Sequence, residues 1–170
     1  MVLKANMPKN GGKIMSNGSV INAIKVLTTI DCETLLELYP NASKNINAPT
    51  GINPTNLRKS IYMVTKDSDE MNGQASPELN IKADQGDTIH WRATSLSLDS
   101  DLSAEFYEFR YTGGNRNVIT PPFHVGNGYW LANVIVNQGF ITYDWKFKIL
   151  DRRGQVLGYF YWDPKITVVS

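Results

Sequence analysis

ITYDWKFKILDRRGQVLGYFYW, residues 141–162, decides the fold class. Ile141, Tyr143, Trp145, Phe147 and Ile149 fall on one side of a two-residue repeat. Thr142, Asp144, Lys146 and Lys148 fall on the other. That is the pattern of a half-buried antiparallel strand, with Tyr143, Trp145 and Phe147 expected inside and the three charged residues in water. Asp151-Arg152-Arg153-Gly154 reads as a tight turn ending on the residue that tolerates positive φ. Val156 to Trp162 is apolar on both faces, as a central strand would be. Asp163-Pro164 breaks it, and the short β-branched run Ile166 to Val169 is expected at a sheet edge.

Outward from there the period stays at two. Leu131 to Val136 reads as a strand, and so does Phe106 to Tyr111, on which Tyr107, Phe109 and Tyr111 share a face. Ile89, Trp91 and Ala93 oppose His90, Arg92 and Thr94. The apolar parity then switches to Leu96 and Leu98, the mark of a β-bulge. Leu79 to Ala83, Ser60 to Thr65 and Val20 to Leu27 complete about eight strands. One short helix is expected near residues 31–39, with Asp31 as its cap and Pro40 as its stop. Residues 40–57, PNASKNINAPTGINPTNL, read as a long loop. The expected fold is all-β, an antiparallel β-sandwich of jelly-roll type with one short helix. It spans 19–170 as a single domain, preceded by a flexible leader over 1–18 in which Met15 offers a second start.

Composition excludes several function classes. Seventeen basic and sixteen acidic residues leave a net charge of +1, so electrostatics give no reason to expect nucleic acid as partner. No stretch approaches the roughly 18 apolar residues of a membrane span, and the first residues lack a signal-peptide core. The expected location is cytoplasmic, or outside after release without a classical signal. Cys32 is the only cysteine, so neither an internal disulfide nor a CxxC zinc site can form.

The chain carries none of the nucleophile-elbow, zincin, dinucleotide or P-loop motifs. His90 and His124 are its only histidines, and their spacing establishes no triad. Cys32 reads as a small residue in a first helical turn. Asp99-Ser100-Asp101, with Glu105 and Glu108 nearby, has the carboxylate spacing of a calcium loop, against the plainer reading of a solvated loop. No metal and no cofactor is expected. The eighteen aromatic residues are mostly core, but Tyr129 and Trp130 follow Gly126-Asn127-Gly128 and are the candidates for an exposed stacking platform. Tyr129, Trp130, Asp99 and Asp101 are thus the candidate ligand-binding residues.

Three stretches carry a family resemblance. They are IDCETLLELYPNASKNINAPTGI (30–52) followed by Tyr62-Met63-Val64-Thr65, GQASPELNIKADQGDTIHWRATSLSL (73–98), and YDWKFKILDRRGQVLGYFYWDPKI (143–166) with its GYFxWDPxI ending. In this order they resemble the PixA/AidA inclusion-body protein family. The resemblance implies a small protein of a host-associated bacterium, made under quorum-sensing or growth-phase control and accumulated in cytoplasmic inclusions, with no catalytic residues to carry over. The expected partner is the chain itself, as a homo-oligomer. Five methionines, three of them in the leader, depart from the methionine-rich namesake and argue against sulfur storage. The expected function is non-enzymatic self-association. The alternative is a lectin-like, carbohydrate-binding β-sandwich that meets a glycan.

Overall fold

The computed structural model describes residues 15–16, 19–98 and 101–169. In chain order the elements are β1 (Met15–Ser16), β2 (Ser19–Val20), β3 (Ala23–Ile30), α1 (Cys32–Leu38), β4 (Thr50–Gly51), α2 (Pro54–Ser60), β5 (Ile61–Val64), β6 (Glu70–Asn72), β7 (Asn80–Ala83) and β8 (Thr88–Ser95). They continue with β9 (Leu102–Gly114), β10 (Phe123–His124), β11 (Tyr129–Asn133), β12 (Gly139–Asp151), β13 (Val156–Trp162) and β14 (Lys165–Val168). Most of the expected leader lies outside the described residues. Its Met15–Ser16, β1, pairs with β2 just past its end.

Two sheets form the layers, as an all-β sandwich requires. One has the order β10-β11-β8-β3-β5. In the other, β12 has β9 along one edge and both β13 and β14 along the opposite edge. Trp162 faces Trp145 and Lys165 faces Thr142, so β13 and β14 are one strand in a single register. Asp163-Pro164 interrupts it. Proline has no N–H to give, but its carbonyl accepts from the Tyr143 N–H at 3.2 Å. β14 also pairs with β7, so the carboxyl-terminal strand is interior, not the edge that its length and its proline led one to expect. The sheets are mixed, because β3–β8, β4–β13 and β7–β14 run parallel. Each of these pairs is joined through long intervening segments, which parallel pairing needs.

A second helix stands where only loop was expected. The Asn53 side chain caps it by accepting from the Asn56 N–H at 2.9 Å, and Pro54 opens it with its φ already set. Arg58 and Lys59 in its last turn complement the dipole. The expected first helix is present. Asp31 accepts from the Thr34 N–H at 3.0 Å, and Leu35 is its buried anchor.

Aromatic rings join the layers. Trp145 stacks on Phe106 at 4.3 Å and meets Trp91, of the facing sheet, at 5.6 Å. The Trp91 indole N–H donates to the Tyr143 hydroxyl at 3.3 Å, and Trp162 donates to the Pro77 carbonyl at 3.1 Å. Tyr143, Trp145 and Phe147 are buried as the alternation requires.

The polar side of β12 departs from expectation. Asp144 is only 2 % exposed, and Lys146 and Lys148 are partly covered. The cause is β9, which sets Arg110, Glu108 and Glu105 opposite them as ion partners. The phase slip is also in β9 and not in β8. β8 pairs with β3 in unbroken register from Thr88 to Ser95, and Leu96 and Leu98 lie past its end. In β9, Glu108 faces Lys146 while Phe106 faces Phe147, which leaves Tyr107 unopposed. Tyr107 therefore turns to Tyr159 on the outer face, while Phe109 and Tyr111 turn inward.

Candidate functional site

The outer face of the five-stranded sheet is built by cross-strand rows. Val64, Leu27, Arg92 and Tyr129 align across β5, β3, β8 and β11. Lys25, His90, Leu131 and Phe123 align across β3, β8, β11 and β10. Each points outward because its strand neighbour, such as Val26, Trp91 or Ala132, is buried. Leu27 is 39 % and Phe123 51 % exposed, so the face carries apolar surface into water.

Between the rows lies a shallow groove of about 400 Å³ lined by Lys25, Leu27, Val64, His90, Arg92 and Tyr129. The His90 and Tyr129 rings stack at 5.6 Å, within 7° of parallel. His90 Nε2 lies 3.2 Å from the Thr88 hydroxyl. Burial, and then the charge of Lys25, hold the imidazole below its ordinary pKa of 6.5. No carboxylate lines the groove, and among the described residues neither Lys25 nor Arg92 forms an ion pair. An apolar floor with two uncompensated cations is suited to hold an apolar group that has negative charge beside it.

The expected site residues divide. Tyr129 lies in this groove. Trp130, next to it, turns the other way, because alternate residues of a strand face opposite sides. It pairs across to Trp91 and is half-buried against the core, its ring meeting Trp145 at 5.4 Å, so it is not a fully exposed platform. Asp99 lies outside the described residues. Asp101 is exposed and forms an ion pair with Arg152. Among the described residues no group of three or more His, Cys, Asp or Glu side chains is placed to hold a metal ion. His124 pairs with inward-facing Trp130 while His90 faces outward, so the two histidines do not converge. Cys32 is buried in α1.

Lys25, Leu27, Val64 and Arg92 were not singled out from sequence, and His90 was weighed only as a possible triad histidine. Their alternation gives each a face, but only the pairing of β5, β3, β8 and β11 makes them neighbours.

A family model described as PixA, inclusion body protein, matches residues 22–127 and 123–168. Among solved structures, the crystal structure of an inclusion body protein (PixA) from Burkholderia cenocepacia J2315 is similar with a TM-score of 0.79. At 21 % identity it covers 92 % of this chain and 100 % of that one, a likeness of fold. No curated protein matches.

Proposed function

Because the chain belongs to the PixA inclusion body protein family, we propose that it works by self-association into dense cytoplasmic bodies and turns over no substrate. The observation that carries this reading is the open apolar face around Leu27, Val64, Tyr129 and Phe123. Leaving such a patch in water is costly unless something covers it. A net charge of +1 offers little repulsion between crowded copies.

The sheet edge is a poorer route. β9 pairs only with β12 among the described residues, which leaves a 13-residue edge. Two register shifts kink it, and Glu105, Glu108 and Arg110 charge it, devices that discourage edge-to-edge pairing. Among the described residues no helix is long and apolar enough to cross a membrane. A host-associated bacterium as source, and release without a classical signal, belong to the same reading.

Expressed in a bacterial cytoplasm, the wild type collects in pelletable bodies that dissolve without denaturant. Leu27→Asp moves to the soluble fraction with its melting temperature nearly unchanged. Equal partitioning of the two would defeat the reading.

A second reading, a lectin-like glycan-binding module, draws on the stacked His90–Tyr129 pair, since a ring face can stack on a sugar. A glycan array with saturable binding lost in Tyr129→Ala, by a protein that stays monomeric, would favour it.

A further inference from the structure

At the far end of β8 the chain turns through Leu96-Ser97-Leu98 before β9 begins. Leu98 is 85 % exposed, the most open of the large apolar side chains described. It also holds φ at 55°, a left-handed conformation that leucine rarely adopts. An apolar side chain that is both strained and in water is unfavourable twice over, and such outliers cluster where function requires them. The turn is firmly placed. The Leu96 N–H donates to the Ile30 carbonyl at 2.7 Å, and the Leu98 N–H donates to Ser95 at 3.1 Å.

Negative charge lies beside the turn that carries this knob. Leu96 and Ser97 share a recess with Asp31, Glu33 and Glu37 of α1, and no basic residue lines it. Asp99 follows Leu98 in sequence. Asp101 is balanced by Arg152, which leaves the α1 carboxylates as the local excess. The groove on the outer sheet face is the opposite, apolar with Lys25 and Arg92 and no acid. The knob lies beyond the end of β8, outside the groove, so every copy offers both halves.

We infer that the Leu98 knob of one copy docks in the Lys25/Arg92 groove of the next, so that copies assemble head to tail. This rests on the self-association proposed above and names its contact. A contact between two different patches need not close, and where it does not it builds open chains, the geometry that fills an inclusion. Opposite charge aligns the two halves, while like charges would repel a groove meeting a groove.

The test uses the full chain with one substitution in each half. Arg92→Glu reverses charge in the groove, with Lys25→Glu as its substitute should it misfold. Leu98→Asp removes the knob, and aspartate accepts the left-handed turn more readily than leucine. Circular dichroism establishes that both variants fold. In sedimentation velocity each variant alone associates at least tenfold more weakly than the wild type. An equimolar mixture forms a 1:1 dimer, since Arg92→Glu supplies the knob and Leu98→Asp the groove. Wild-type strength in Leu98→Asp, or a mixture that stays monomeric, overturns the knob-and-groove contact while leaving self-association standing. A wild type that never associates defeats the underlying reading as well.

Discussion

Arg110 and Asp144 stand opposite one another on β9 and β12, and the guanidinium Nε donates to Asp144 Oδ2 at 2.8 Å. The carboxylate is 3 % exposed at its side chain and the guanidinium 52 %, so a buried anion depends on a half-exposed partner. Arg110 also lies over the Tyr161 ring at 5.7 Å. Arg110→Ala strands the carboxylate and should cost about 1–3 kcal/mol, the range for an unmatched buried acceptor. Chemical denaturation measures it. A change below about 0.5 kcal/mol, as on an ordinary surface, would show that water reaches Asp144.

Trp145 is touched by Phe106, Trp91, Phe109 and Trp130, so no neighbour can collapse into its place without losing its own contacts. Trp145→Ala should cost about 3–5 kcal/mol in urea unfolding. A much smaller loss would mean that the layers repack freely.

Thr167 lies on β14 between Phe140 of β12 and Lys82 of β7. Proline there removes a ladder donor from an interior strand. The folded monomer itself should lose at least about 1–3 kcal/mol. Were β14 an edge, Thr167→Pro would leave the melting temperature untouched, and calorimetry separates the two.

These three sites mark how far the sequence reads. The alternation from Ile141 to Ile149 gives the buried face of β12 directly, because period two is a local property. The fate of Asp144 is not local, since it depends on Arg110 from a strand that pairs in register only after a bulge at Tyr107. Proline at 164 signals a break, and an edge is the simplest inference from it. The same break instead lets one long strand bend while both halves stay paired. In the groove, Tyr129 was legible as a loop-adjacent aromatic. Lys25, Leu27, His90 and Arg92 were not, because their adjacency comes from a parallel pair closed over a long connection.

His90 gives a pH dependence. Its folded pKa lies below 6.5, through burial first and Lys25 second, so the unfolded chain takes up the proton more readily. Stability from this group is complete above 6.5 and is lost as pH falls from there toward the folded pKa. Denaturation midpoints at pH 7 and pH 5.5 should therefore differ more in the wild type than in His90→Gln. Equal differences would show that the imidazole titrates alike in both states.

Copies of the chain are expected to meet through the outer face of the five-stranded sheet. Sedimentation equilibrium of the purified wild type beside Leu27→Asp, over a wide range of concentration, tests this most directly. The wild-type mass should climb steadily above that of one chain, while Leu27→Asp stays at the monomer mass. A wild type that remains a monomer throughout, or a Leu27→Asp variant that climbs with it, would contradict this.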